Sequence, residues 1–235
     1  MKKLTQNRKN AWEKSYSRGE NFVFYPHEEV IRFVSKFIRK RTGINKFTDV
    51  VRLSNEKRIL DLGCGIGRHV KLCHEMGLNT YGVDLCETAI ALARSWLGKS
   101  GMPDANERLI QGDIRRLPWR KHKFTFALSH GVLDSVPFDI AREACFELSR
   151  KMILGGLFYC DLISGDDSLH AREFSGAEVV CTTHEKNTVQ LYFNMQLIDK
   201  LIKNCFFLKE CRLIRSEDIL RGGYRARYHL VLCRI

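Results

Sequence analysis

From Arg58 onward, short apolar runs alternate with segments whose apolar residues recur every three or four positions, the pattern of βαβ units around a parallel sheet. Residues 58–62 read as a first strand and 68–76 as the helix that follows it. A second strand over 80–84 leads to a helix over 88–97, with Ala89, Ile90, Ala93, Trp96 and Leu97 on one face. Residues 108–111 and 124–128 supply two more strands, and 139–152 a helix striped by Ile140, Ala144, Leu148 and Met152. Gly155-Gly156 reads as a turn into a fifth strand over 157–162. Beyond it the regularity slips: 164–178 reads as loop, 179–183 and 188–193 as an inserted hairpin, and Asn194 as the cap of a helix bearing Leu197, Ile198, Leu201 and Ile202. Strands over 210–214 and 227–233 close the chain.

Residues 1–57 follow another pattern, that of a mostly helical, basic prelude in which 28–40 sets Val30, Ile31, Val34, Phe37 and Ile38 opposite charges. No repeat or Gly/Ser-rich linker interrupts the chain, so the expected division is an N-terminal arm or lid over 1–57 and one α/β domain over 58–235 with an insertion at 164–193. A length of 235 residues with 44% hydrophobic content suits one such domain.

No apolar run approaches the roughly 18–20 residues that span a bilayer, and Met1-Lys2-Lys3 opens into a polar stretch, so the expectation is a cytoplasmic protein without membrane insertion. Nine cysteines, at 64, 73, 86, 145, 160, 181, 205, 211 and 233, include no C-x-x-C pair, which argues against a zinc ribbon or a disulfide framework. No metal ligands are assigned. The net charge of +12 makes an anionic partner physically plausible. Its excess is spread: 1–57 holds 14 Lys/Arg against 6 Asp/Glu, and Arg115, Arg116, Arg120, Lys121 and Lys123 form a second cluster.

The densest chemistry lies in Ile59-Leu60-Asp61-Leu62-Gly63-Cys64-Gly65-Ile66-Gly67-Arg68-His69, an apolar strand running into a glycine-rich turn and a helix. Glycines at 63, 65 and 67 let the backbone turn tightly and approach a ligand that a Cβ would block. Arg68 stands where a dinucleotide fingerprint has its third glycine, which disfavours NAD, and no Gly-Lys-Ser/Thr follows to make a Walker loop. Asp84 ends the second strand, where a carboxylate can accept from both ribose hydroxyls of an adenosine. At the end of the third, Asp113 can accept from an adenine amino group while Ile114 meets the ring.

In this order, residues 59–67, 81–84 and 112–118 resemble the cofactor motifs of class I S-adenosylmethionine methyltransferases. The resemblance covers about 58–163 and implies a Rossmann-like three-layer sandwich, with a mostly parallel seven-stranded sheet whose last strand is antiparallel. It also implies S-adenosyl-L-methionine as cofactor and S-adenosyl-L-homocysteine as product. The implied contacts come from Gly63, Cys64, Gly65, Asp84, Leu85, Asp113 and Ile114, with Asp61 beneath the glycine turn, Gly67 within it and Ser129 at the end of the fourth strand.

Methyl transfer is an in-line displacement, so the protein has to align the reactants, exclude water and, for a hydroxyl acceptor, remove a proton. His130 is the candidate base and Asp134 its candidate orienting partner; a loop-shaping role for His130 stands beside that reading. Tyr16 and Tyr25, in the aromatic stretch 12–27, are candidates to close over the cofactor, and the hairpin residues His184, Tyr192 and Phe193 to wall the acceptor site. An Asp/Asn-Pro-Pro-Tyr/Phe tetrapeptide and a Pro-Cys nucleophile are both missing, which counts against DNA and many RNA acceptors. The favoured acceptor is a small molecule methylated at a hydroxyl or amine, such as a surface-polysaccharide sugar or a quinone-like ring. RNA methylation, a cofactor-binding protein without catalysis, and aminopropyl transfer remain as alternatives, and the oligomeric state is open.

Overall fold

The computed structural model describes residues 2–51, 57–120, 124–170, 173–181, 186 and 188–235. The arm opens with α1 (Lys2–Ser17), followed after an irregular stretch by α2 (Glu28–Phe33) and a π-helical turn, Val34–Ile38. His27 caps α2, its Nδ1 accepting from Glu29 N at 3.2 Å. Of the apolar face expected over 28–40, Val30, Val34, Phe37 and Ile38 are buried while Ile31 is exposed, and after Ile38 the helix gives way to a hairpin, β1 (Arg39–Gly43) with β2 (Lys46–Asp49). Arg39 is turned aside: its Nε bonds Asp49 Oδ1 at 2.7 Å and its Nη1 bonds the carbonyls of Met76 and Gly77, at 3.1 and 2.9 Å.

The domain follows as β3 (Arg58–Leu62), α3 (Arg68–Glu75), β4 (Asn79–Asp84), α4 (Glu87–Lys99), a short α5 (Ala105–Arg108), β5 (Leu109–Gln111), β6 (Phe124–Ser129), α6 (Phe138–Lys151) and β7 (Met152–Ile163). Beyond these come the hairpin β8 (Gly176–Val179) with β9 (Val189–Tyr192), then α7 (Met195–Ile202), β10 (Phe206–Glu217) and β11 (Tyr224–Arg234). Asn194 caps α7, its Oδ1 accepting from Leu197 N at 2.9 Å.

The described strands assemble as a seven-stranded sheet in the order β10-β11-β7-β6-β3-β4-β5. β3 to β7 pair in parallel, and the last strand, β11, lies antiparallel between β7 and β10, the Rossmann-like arrangement expected. A parallel sheet must be covered on both faces. On one, Ala141, Ala144, Cys145 and Leu148 of α6 join Ile198 and Leu201 of α7. On the other, Val30, Phe33, Phe37 and Ile38 of the arm pack with Cys73 of α3 against Phe126, Leu128 and Tyr159. The arm is thus part of the core on that face. Gly155-Gly156 sits inside β7 as a kink: Gly155 has φ +74, and a Cβ at Gly156 would stand 2.9 Å from the Thr125 carbonyl. Among the described residues no helix is long and apolar enough to cross a membrane.

Candidate active site

The parallel strands all end on one edge, and the turns leaving β3, β4, β5 and β6 open there around a cavity of about 350 Å³. Its floor is the turn after β3. At Gly63 (φ +69) a Cβ would stand 2.4 Å from Val132 Cγ2, and at Gly65 (φ +53) 2.5 Å from Tyr16 Oη, so the floor is open only because these positions lack side chains. Gly67 (φ +87) acts elsewhere, since a Cβ on it would meet Leu97 Cδ1 at 2.8 Å and Ala93 Cβ at 3.4 Å. Its missing side chain lets α3 pack on α4, and Gly67 does not line the cavity.

Asp84 closes one end of the floor, accepting Gly65 N on Oδ2 and Cys86 N on Oδ1, both at 2.8 Å. Burial raises its pKa, opposed by those two bonds, and each carboxylate oxygen keeps a lone pair for a further donor. Leu85, Asp113 and Ile114 continue the wall. Asp113 is gripped by its neighbour Arg115, Oδ2 to Nη2 at 2.6 Å, so an adenine amino group has to share it. Beneath the turn, Asp61 is buried with no hydrogen bond to Oδ2, which stands 4.0 Å from His69 Nδ1, and burial raises its pKa well above the usual carboxylate value.

The arm supplies the roof. Tyr16 lines the cavity, while Glu13 takes the start of α4: Oε1 accepts Glu87 N at 2.6 Å, and Oε2 accepts Thr88 N at 3.2 Å and the Cys86 thiol at 2.9 Å. Burial alone would raise the Glu13 pKa; these bonds bring it down to about 2. Tyr25 is not brought to the cavity. Its side chain is 82% exposed, and only its carbonyl faces inward, accepting from Arg68 Nη1 at 3.4 Å. Ser129 is likewise turned away, its hydroxyl donating across the sheet to the Leu62 carbonyl at 3.3 Å.

At the far end stand His130, Asp134 and Arg227. The expected pairing of Asp134 with His130 is not present. Asp134 Oδ2 instead accepts Arg227 Nη2 at 2.5 Å and Ile163 N at 3.0 Å, and the carboxylate beside His130 is Asp161, 3.5 Å from Nε2. Arg227 also bonds Asp161 Oδ2 through Nε at 2.8 Å. Burial raises the pKa of Asp134; burial would also raise that of Asp161, but Arg227 and His130 hold it below the usual value. Burial pushes His130 down to about 4, so its ring is neutral near pH 7. The His27 ring lies against it, tilted by 40° with centroids 4.2 Å apart, and His69 lies 5.4 Å away.

Arg68, Asp161 and Arg227 therefore belong to the site although their spacing along the chain does not announce it. The available signals are a carboxylate inside the apolar run 157–162 and an arginine inside the apolar closing strand. Val189 and Gln190 of β9 reach the cavity, whereas Tyr192 and Phe193 are buried behind it. His184, Lys121 and Lys123 lie outside the described residues. Among those described, no three His, Cys, Asp or Glu side chains gather where they could hold a metal ion.

A glycine floor at the carboxyl ends of parallel strands, with a carboxylate one strand over, lies where open α/β sheets bind their ligands. Residues 60–160, which carry that floor and both acidic turns, match the family model described as a methyltransferase domain. The fold is that of S-adenosylmethionine-dependent methyltransferases.

In structure the chain is similar to a SAM-dependent methyltransferase from Methanosarcina mazei, at 20% identity and TM-score 0.61 over 78% of this chain and 94% of that one. It is similar to the glycopeptide N-methyltransferase MtfA in complex with S-adenosyl-L-homocysteine, at 13% identity and TM-score 0.61 over 92% and 93%. TehB from Haemophilus influenzae matches at 13% identity and TM-score 0.57 over 95% of this chain and 67% of that one. At such identities the likeness is one of fold. Comparison with curated proteins finds no match.

Proposed function

We propose that the protein transfers the methyl group of S-adenosylmethionine to a hydroxyl or amine of a small molecule. The observation that carries this is a single cavity with two unlike ends, an open glycine floor beside Asp84 and a buried polar cluster of His130, Asp134 and Arg227. The cofactor supplies an electrophilic methyl group; the chain's own residues have to hold it in line with the acceptor and keep water out. Gly63, Cys64 and Gly65 admit the cofactor's backbone-facing side, Asp84 takes the ribose hydroxyls, Asp113 and Ile114 take the adenine, and Tyr16 covers it. Asp61, Ser129 and Gly67 support the strands and the turn from below.

A small acceptor is favoured by space. The cavity volume lies at the low end of the range of about 300–1,000 Å³ for ligand sites, leaving little room beyond the cofactor. The RNA reading keeps one supporting observation, the charge of +12 with the exposed Lys40 and Arg41 on β1. Incubation with methyl-labelled cofactor and extracts fractionated into nucleic acid, glycan, lipid and small molecules tests the choice. Label is expected in the small-molecule fraction; label confined to RNA would refute the reading, and absence of S-adenosylhomocysteine binding by calorimetry would remove its foundation.

A further inference from the structure

Two buried polar atoms at the acceptor end have no hydrogen-bond partner, His130 Nε2, which stands 3.5 Å from Asp161 Oδ2, and Asp134 Oδ1, and both belong to residues that line the cavity. An unsatisfied buried polar group is costly, so a pair of them at a cavity wall calls for a partner. Their hydrogen-bonding sense can be worked out. Arg68 Nη2 lies 3.3 Å from His130 Nδ1, and a guanidinium only donates, so Nδ1 accepts. The neutral ring then carries its proton on Nε2. Asp134 has committed Oδ2 to Arg227 and to Ile163 N, leaving Oδ1 as an acceptor. The wall therefore offers one donor and one acceptor.

We infer that the methyl acceptor is an alcohol whose hydroxyl donates to Asp134 Oδ1 and accepts from His130 Nε2–H, with Asp134, not His130, taking the proton. This rests on the proposed methyl transfer and narrows its acceptor. A hydroxyl satisfies both atoms and keeps a second lone pair for attack. An ammonium would leave Nε2–H unmatched, and a neutral amine bound to both atoms would have its lone pair occupied by Nε2–H. In the step, the acceptor oxygen bonds the methyl carbon as the carbon–sulfur bond breaks. The O–H bond passes its proton to Asp134 Oδ1, leaving an ether and a neutral thioether, and the proton then leaves to solvent. Asp134 is faced by Arg227 from β11 and Asp161 from β7; His130 lines the same cavity, with Arg68 of α3 and His27 of the arm beside its ring. Arg227 is shared between the two carboxylates, and Arg68 lies beyond the imidazole ring.

The full chain, labelled with 15N-histidine and saturated with S-adenosylhomocysteine, tests this by titration with cyclohexanol and separately with cyclohexylamine. His130 is expected to show an Nε2–H ring, with the alcohol perturbing that signal at a concentration at least about tenfold lower than the amine does. The preference should vanish in Asp134→Asn, whose folding is checked by thermal melting. A ring protonated on Nδ1 in the wild-type protein, or a response to the amine alone, overturns the inference without any variant. With labelled S-adenosylmethionine and paired alcohols and amines, label in ethers supports it. Label only in N-methylamines refutes the alcohol while sparing methyl transfer, and a protein that fails to bind S-adenosylhomocysteine fells the broader proposal instead.

Discussion

Two glycines of one turn should fail in different ways when a methyl group is added. In Gly67→Ala the new Cβ meets Leu97 Cδ1 at 2.8 Å and Ala93 at 3.4 Å, inside the packed seam between α3 and α4, at a backbone φ of +87. Left-handed backbone costs a side-chain-bearing residue about 1–2 kcal/mol, and overpacking a tight interior about 1–3. The sum of roughly 2–5 kcal/mol lowers Tm by about 4–20 °C at about 2–4 °C per kcal/mol for a chain of this size. In Gly65→Ala the strain is similar, but the Cβ meets only Tyr16 Oη, the tip of a side chain on the arm. Its melting loss should therefore stop near the strain alone, roughly 2–8 °C. Its cofactor affinity should fall at least about tenfold, a loss of about 1.4 kcal/mol, because the methyl group rises from the cavity floor. Differential scanning fluorimetry and calorimetric titration with S-adenosylhomocysteine read the two effects. Equal melting losses in the two variants, or a Gly67→Ala protein that melts like wild type, would refute the division of labour between floor and helix seam.

Further expectations follow from the same geometry. Tyr25→Ala should bind S-adenosylhomocysteine as wild type does, since that ring is solvent-exposed, whereas Tyr16→Ala should weaken it; a reversal would mean that the roof is misassigned. Arg227→Met strands two buried carboxylates and should cost about 3–5 kcal/mol, toward the low end because the guanidinium's edge borders the cavity, as denaturant melts would show. Methyl transfer should be lost as pH falls through about 6, where the raised pKa of Asp134 protonates the base, while an acid limb near 4 would point to His130 instead. Glu13 stabilises its contact with α4 fully above its ordinary pKa of 4.5, and that contribution should fade as pH falls toward 2, because the folded carboxylate has the lower pKa; Glu13→Gln should abolish the pH dependence of arm protection in hydrogen exchange.

Much of this architecture is written in local pattern. The run 59–69 specifies strand, turn and helix by itself, because apolar alternation and glycine spacing are short-range properties. Asp84 and Asp113 are recognisable by their position at strand ends. What escapes is whatever depends on a partner far along the chain. Arg227 meets Asp134 across 93 positions and Asp161 across 66, and no periodicity encodes either contact. The β1–β2 hairpin is hidden for another reason: Lys40, Arg41, Thr42 and Gly43 are all exposed, so the strand carries no alternation to read, and it is set by Arg39 reaching Asp49 and the end of α3. Tyr25 and Tyr16 look alike in sequence, yet only the one on α1 faces the cleft.

The arm's attachments are uneven, and this dictates how the cleft is entered. Arg39 is bolted to the Met76 and Gly77 carbonyls just past α3, the His27 backbone N–H to His69 near that helix's start, and Val30, Phe33 and Ile38 into the core, so residues 27–49 ride with the domain. Ahead of them, α1 is pinned mainly by one glutamate and one tyrosine, and the stretch behind it holds Gly19 and half-exposed Phe22, Val23 and Phe24. Any opening of the cleft is therefore expected ahead of His27, with residues 27–49 staying fixed, and faster amide hydrogen exchange in α1 than in residues 27–49 would show it.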